Sequence, residues 1–165
     1  MKNYNRPIKL LYFKWLRLKP IKFIVATTFL GILFTIPMKL ILDFAGVGDS
    51  DIGGFDFERS SQLEMIITVI ILAPLIETLL CQLLPIKLIQ VFKKNHSNLI
   101  ALLVSSLVFS LVHYSYSVWY SLMVLPMGFF LAKTYLVFQR RKESSFWMTT
   151  AVHASRNLIA LMVIL

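Results

Sequence analysis

Five long apolar runs, separated by short polar segments, dominate the chain. A membrane-spanning helix needs about 20 mostly apolar residues, and each run meets that length. The predicted spans are about 21–42, 64–86, 98–116, 118–138 and 145–165. Short connections favour antiparallel packing of neighbouring helices. We therefore predict an all-α bundle of about five transmembrane helices, with a basic interfacial or cytoplasmic segment over 1–20 and one transmembrane domain over 21–165.

Composition supports a membrane protein. Hydrophobic residues make up 58% of the 165 residues, charged residues only 15%, and mean hydropathy is +0.74. Soluble domains are nearer 45–50% apolar and about 25% charged. These values exclude a disordered chain, a coiled coil and an ordinary soluble enzyme. The single cysteine, Cys81, excludes an intrachain disulfide framework and a cysteine-cluster metal site.

The net charge of +9 is distributed by segment. Basic residues concentrate in 1–22, 87–97 and 139–144, whereas acidic residues concentrate in 43–64. The positive-inside rule places the basic segments in the cytoplasm, which predicts an N-in, C-out topology. Because the charges alternate with the spans, they indicate topology rather than a nucleic-acid surface, and we expect no nucleic-acid partner.

The segments outside the spans suggest no separate chemistry. The acidic 43–63 segment lacks the twelve-residue ligand spacing of a calcium loop and is expected to be an exposed external loop. The first run exceeds the apolar region of a signal peptide, which predicts a retained signal anchor. Ile8, Leu11 and Trp15 recur at helical spacing before it, as in an interfacial helix on anionic lipid, although a basic tail that only sets topology fits equally. His96 is expected to be solvated.

Ionisable residues inside the spans are the strongest functional signal, because they are costly in lipid and usually face the bundle interior. The deep positions are Glu77, His113, His153 and Arg156. Lys39 and Lys133 lie near span ends, where their long side chains can reach the interface.

Glu77 lies in a span that Pro74 interrupts, since proline removes a backbone hydrogen bond. Ala73 and Cys81, one turn to either side, leave a slim face that another helix can approach. A carboxyl group in such a place suits a general base. A protonated structural glutamate that donates one interhelical hydrogen bond is the alternative.

Two further pairs occupy later spans. His113 follows Phe109 by one turn, and a lone histidine near a helix end is often structural. His153 and Asn157 are i, i+4 neighbours, so both point toward one partner. Such paired donors suit an oxyanion hole, and they suit interhelical hydrogen bonds equally well.

A glutamate in a proline-broken span, then FxxxH, then HxxxN two spans later resembles the CPBP family. This family comprises CAAX prenyl proteases of the Ras-converting type and bacterial bacteriocin-processing and self-immunity relatives. Its pattern is approximately APxxEExxxR, FxxxH and HxxxN or HxxxD. The resemblance covers about 65–160, with APLIET at 73–78. Thr78 replaces the second glutamate and Gln82 the arginine, which places the activity in doubt.

The resemblance implies an intramembrane endopeptidase whose substrate is membrane-associated, such as a prenylated peptide or a leader peptide. Water would be activated by Glu77 with His113, and the oxyanion would be stabilised by His153 and Asn157. The implied catalytic residues are thus Glu77, His113, His153 and Asn157. The supporting residues are Thr78, Gln82 and Arg156. We hypothesise that Arg156 supplies the positive charge that Gln82 lacks.

The resemblance leaves the cofactor open. Members of the family are usually labelled metalloproteases, although a glutamate-dependent mechanism without metal has also been argued. The chain has no HExxH zinc motif. If zinc binds, the ligands would be Glu77, His113 and His153, which form an acceptable three-ligand catalytic set.

Two other function classes compete with the protease. A catalytically inactive membrane scaffold or bacteriocin-immunity protein would explain the Thr78 and Gln82 replacements. A proton-linked transporter is disfavoured because the chain shows no inverted repeat. The expected partners are membrane lipids, a membrane-associated substrate and a homo-oligomer or other membrane protein, in a bacterial cytoplasmic membrane.

The rise per residue places Glu77, His113 and His153 at different depths, which argues against a shared site. At 1.5 Å per residue, Glu77 and His153 lie about 12 Å from the predicted cytoplasmic ends of their helices. His113 lies about 22 Å from a helix start at 98. The three meet only if helices tilt or begin at different depths.

Overall fold

A computed structural model describes residues 6–53, 61–92 and 97–164 as helices and short connections, with no strand in these ranges. We number the helices in chain order. They are α1 (Arg6–Leu16), α2 (Pro20–Phe44), α3 (Asp49–Ile52), α4 (Gln62–Phe92), α5 (Ser97–Val112), α6 (Val118–Phe138) and α7 (Ser145–Ile164). A 3₁₀ turn, His113–Ser115, continues α5. This confirms the predicted all-α helical bundle.

Four helices are long and apolar enough to cross a membrane: α2, α4, α5 with its 3₁₀ turn, and α6. The fifth predicted span coincides with α7, which has 20 residues. The helix α7 is long enough to span, but it is less apolar than the other four because it contains His153, Arg156 and Asn157. The predicted second span also ended too early, since α4 continues to Phe92. The N-in, C-out topology remains a prediction.

Two π-helical segments, Ile67–Leu72 and Thr78–Leu83, interrupt α4. Pro74 has no N–H, and the preceding amide, Ala73, bonds to the carbonyl of Thr68 instead of Val69. The Val69 carbonyl therefore lacks both its α-helical and its π-helical donor. Asn157 of α7 supplies one, with 2.9 Å between Nδ2 and the carbonyl oxygen.

The second proline in α4 has the same consequence. Pro85 cannot donate to the Cys81 carbonyl, which instead accepts a hydrogen bond of 2.7 Å from Ser105 Oγ of α5. Membrane helices tolerate proline when side chains of neighbouring helices satisfy the freed carbonyls. Both interruptions of α4 are thus tied to adjacent helices.

The helix α6 lies at the centre of the bundle and packs against α2, α5 and α7. The core that it shares with its neighbours consists of Cys81, Phe109, Val124, Met127, Leu131 and Val152. Ser110 of α5 and Ser121 of α6 each donate to the carbonyl of the other at 2.7 Å. These exchanged bonds fix the relative position of α5 and α6 close to His113.

The second half of α1 contacts the bundle, most directly through Trp15. Trp15 donates from Nε1 to Thr27 Oγ1 at 2.9 Å, and its ring stacks on Phe23 with 5.1 Å between centroids. Leu11 is 67% exposed, so the predicted common face of Leu11 and Trp15 is divided between lipid or solvent and the bundle. The side chain of Ile8 lies outside the described residues.

At the opposite end of the bundle, Lys39 forms ion pairs with Asp43 and with Asp49, the latter at 2.8 Å. The Asp43 pair lies within α2, whereas the Asp49 pair ties α3, in the 43–63 segment, to α2. Residues 54–60 of that segment, and His96, lie outside the described part of the chain.

Candidate active site

Three ionisable side chains from three helices converge. Glu77 of α4 places Oε2 at 3.6 Å from Nε2 of His113 and at 3.7 Å from Nε2 of His153. The side chain of Glu77 is 23% exposed, that of His113 12% and that of His153 4%. The Nε2 atoms of both imidazoles therefore face the same carboxylate oxygen, and all three side chains are largely buried. Their roles remain predictions, but the structure brings the three together.

The extension of α4 to Phe92 brings Glu77 and His113 to similar distances along the axis from their helix ends, about 22 Å and about 24 Å. His153 lies only about 12 Å from the start of α7. The three side chains nevertheless meet, so α7 starts at a different level from α5 or is tilted relative to it.

His113 presents a lone pair to the site. Its Nδ1 lies 2.7 Å from the carbonyl oxygen of Phe109, which can only accept, so Nδ1 carries the proton. In a neutral imidazole, Nε2 is then an acceptor, and it faces Glu77.

His153 presents the opposite tautomer. Its Nδ1 is buried without a hydrogen-bond partner among the described residues. Because a buried unpaired N–H is costly, we assign the proton to Nε2, on the side of Glu77. The site thus holds one imidazole acceptor and one imidazole donor at the same carboxylate.

Phe109 packs between the two histidines, with ring centroids 4.7 Å from His113 and 5.4 Å from His153. It is 2% exposed. Gly128 of α6 lies directly behind it, since a Cβ there would meet Phe109 Cδ1 at 2.9 Å. The phenylalanine of the FxxxH pattern therefore spaces the imidazoles.

Asn157 and Arg156 line the same pocket but differ in what they contact. One N–H of Asn157 is used by the Val69 carbonyl, as described above. Arg156 Nη1 lies 3.4 Å from Asn157 Oδ1. Within the described residues, Arg156 has no carboxylate within 4.0 Å, so the compensation proposed from sequence would act through space rather than through an ion pair with Glu77.

Thr78 and Gln82 lie elsewhere. Both are fully buried, and neither lines the pocket that contains Glu77. Their polar side-chain atoms have no hydrogen-bond partner among the described residues. The two positions that depart from the family pattern are therefore outside the pocket.

The pocket has a volume of about 330 Å³. Sequence reasoning missed several of its lining residues: Gly53, Tyr116, Tyr120, Met123 and Met127. Tyr116 lies in the turn between α5 and α6 and Tyr120 in the first turn of α6, so the reversal of the chain brings them to His113, and spacing along one helix could not have indicated them. Burial raises the pKa of Tyr116, with smaller contributions from Tyr120 and Glu77, so its hydroxyl remains a donor at neutral pH.

Across residues 6–53, 61–92 and 97–164, no group of three or more His, Cys, Asp or Glu side chains is arranged to hold a metal ion. The conditional assignment of zinc to Glu77, His113 and His153 stays a prediction, and no step below uses a metal.

Comparison with known proteins agrees with the geometry. The sequence model of a family described as type II CAAX prenyl endopeptidase Rce1-like matches residues 59–159. No curated protein and no solved structure gives a significant match. The chain is an integral multi-pass membrane protein of the CAAX-type intramembrane protease class. It belongs to the Rce1-like family of type II CAAX prenyl endopeptidases, which confirms the resemblance inferred from its motifs.

Proposed function

We propose that this chain is an intramembrane endopeptidase that cleaves a membrane-tethered peptide by direct attack of water. The observation that carries the proposal is the convergence of Glu77, His113 and His153 in one pocket between membrane helices. A carboxylate near an imidazole acceptor and an imidazole donor is a suitable arrangement for general base catalysis.

In this mechanism Glu77 accepts a proton from the attacking water, and Nε2 of His113 accepts a hydrogen bond that orients it. The water oxygen bonds to the scissile carbonyl carbon. His153 donates from Nε2 to the resulting oxyanion, and the guanidinium of Arg156 adds positive charge in the same pocket. Glu77 then returns its proton to the leaving amine nitrogen as the C–N bond breaks.

Asn157 receives a different role from the one predicted. Its donation to Val69 fixes α7 against the π-helical turn before Glu77. We propose that it is a positioning residue that holds His153 and Arg156 at the correct height, rather than the main oxyanion donor.

The pocket lining supports an apolar substrate segment. Phe109, Met123 and Met127 offer a flexible apolar wall, and Tyr116 and Tyr120 add hydroxyls near the turn between α5 and α6. A volume of about 330 Å³ holds a few side chains, so the rest of the substrate would lie in lipid. A prenylated C-terminal peptide and a hydrophobic leader peptide both fit this class, in a bacterial cytoplasmic membrane.

The inactive scaffold is less well supported. The hypothesis of an inactive scaffold was based on the replacements at Thr78 and Gln82, and these side chains do not line the pocket. The two replacements therefore leave the lining of the pocket around Glu77 without a direct change at Thr78 or Gln82.

The test uses the full chain in liposomes with a membrane-anchored reporter peptide, prenylated in one series and carrying an apolar leader in the other. Glu77→Gln and His113→Ala should each reduce cleavage by about 10²–10⁴. Glu64→Gln is the matched control, because Glu64 lies on the same helix and only caps its start through Ser61. Wild-type cleavage by Glu77→Gln would overturn the mechanism, and no cleavage of either series by the wild type would favour the scaffold.

A further inference from the structure

A second pocket, of about 490 Å³, lies at the end of the bundle opposite to Lys39. It is lined from α1, α5, α6 and the connection after α6. The lining residues are Tyr12, Leu16, Asn98, Leu99, Leu102, Lys133, Leu136, Val137, Arg140 and Arg141. This basic pocket contains three cationic side chains and no acidic one.

The cations in the basic pocket are not equivalent. Arg141 donates from Nη1 to the Leu18 carbonyl at 2.9 Å and from Nη2 to the Leu16 carbonyl. It therefore satisfies carbonyls at and just beyond the C-terminal end of α1 and joins α1 to the connection after α6. Lys133 and Arg140 have no carboxylate partner within the described residues, so their charge is available to a ligand.

Neighbouring contacts hold these groups in place. Lys133 Nζ lies 5.2 Å from the centroid of the Tyr12 ring, which keeps the ammonium at the mouth of the pocket. Asn98 accepts a hydrogen bond at Oδ1 from Gln90, at 3.0 Å. This leaves the amide nitrogen of Asn98 as a third donor beside the two cations.

The remainder of the lining is apolar and comes from leucine and valine side chains of α1, α5 and α6. Leu11 and Phe13 of α1 are 67% and 54% exposed, so α1 leaves apolar side chains uncovered beside the pocket, as an interfacial helix does. A ligand with an anionic head and a hydrocarbon tail matches a basic rim above an apolar wall.

We propose that the basic pocket binds an anionic phospholipid. Its phosphate contacts Lys133, Arg140 and the Asn98 amide, and one acyl chain lies against Leu99 and Leu136. Basic pockets between membrane helices at a membrane surface are suited to such head groups. The site is separate from Glu77 and does not depend on the proposed protease activity.

The experiment titrates short-chain phosphatidylglycerol into the detergent-solubilised full chain, with phosphatidylcholine of the same chain length and inorganic phosphate as separate probes. Phosphatidylglycerol should bind more tightly than phosphatidylcholine. Lys133→Gln should weaken its binding about fivefold and Lys133→Gln with Arg140→Gln about thirtyfold. Lys142→Gln, a nearby exposed cation outside the pocket, should change binding by less than about twofold.

A charge-preserving variant guards against loss of fold, because Lys133→Arg with Arg140→Lys should keep the preference for phosphatidylglycerol. Equal binding of both lipids would overturn the proposal. So would an equal loss in Lys142→Gln, or competition by millimolar inorganic phosphate, which would identify a free-phosphate site.

Discussion

At the scale of single residues, Asn157 shows how a side chain's partner depends on its neighbour's backbone. Its i, i+4 spacing with His153 predicted a shared face, and both side chains do line one pocket. The carbonyl that it meets, Val69, is free only because Pro74 lacks an N–H. Spacing within α7 cannot reveal which carbonyl of α4 lies opposite.

The hydrogen bond from Asn157 to the Val69 carbonyl predicts that substitutions at Asn157 and Pro74 have non-additive effects on stability. Asn157→Leu should reduce the free energy of unfolding by about 0.6–1.7 kcal/mol, typical of interhelical hydrogen bonds in membranes. The loss should be smaller in a Pro74→Ala background, because residue 74 then supplies an N–H to the same turn. Unfolding in mixed micelles measures both.

Ser105→Ala is the control for the comparison of Asn157→Leu in the wild-type and Pro74→Ala backgrounds. It removes the donor to the Cys81 carbonyl, which Pro85 frees, so Pro74→Ala should leave its cost unchanged. Equal costs of Asn157→Leu in both backgrounds would contradict the proposed pairing.

At the scale of elements, the site depends on how closely α6 approaches α5. Gly128 permits contact with Phe109 and with the Ser106 carbonyl, which a Cβ would meet at 3.0 Å. Gly31 of α2 is similarly close to Met127, but the atom in contact there is the Sδ of a flexible side chain, at 2.6 Å from a Cβ.

The two glycines therefore predict different outcomes. Gly128→Ala must displace Phe109 or separate the helices, which costs about 1–3 kcal/mol for overpacking and disturbs the spacing of the histidines. Gly31→Ala can be accommodated by rotation of Met127. Cleavage rate and thermal midpoint, measured together, should fall clearly for Gly128→Ala and less for Gly31→Ala. An equal loss of activity in the two variants would show that the Phe109 contact is not the sensitive one.

At the scale of the whole molecule, the two pockets occupy opposite ends of the bundle. The pocket around Glu77 reaches Gly53, which lies in the acidic 43–63 segment, and Tyr116 beside it, whereas the basic pocket reaches the connection after α6. Under the predicted N-in topology, the candidate active site opens toward the non-cytoplasmic side.

Cysteine accessibility tests this orientation. Cys81 is 1% exposed, and Cys81→Ala provides a background without reactive thiols. In that background, Ser50→Cys should react with a membrane-impermeant maleimide in intact cells, and Lys142→Cys only after permeabilisation. The reverse pattern would contradict the positive-inside prediction and place the opening of the site in the cytoplasm.

The sequence alone predicted much of this protein because the bilayer imposes a simple rule. Apolar runs of spanning length define helices, and ionisable residues inside them, such as Glu77 and His113, are costly unless they have a use. The family motifs contain the same residues, and the match of the Rce1-like family model over residues 59–159 confirms that the chain belongs to this family. Four of the five predicted spans are among the helices apolar enough to cross a membrane, and the fifth coincides with α7, whose hydropathy is lowered by His153, Arg156 and Asn157.

Only the tertiary structure decided how these residues meet. The convergence of Glu77, His113 and His153, and the exclusion of Thr78 and Gln82 from the pocket, depend on contacts between helices. The basic pocket likewise combines residues from α1, α5 and α6 that are far apart in the chain. Hydrophobic patterning specifies which segments enter the membrane, whereas close packing and the pairing of carbonyls freed by proline specify their heights and rotations.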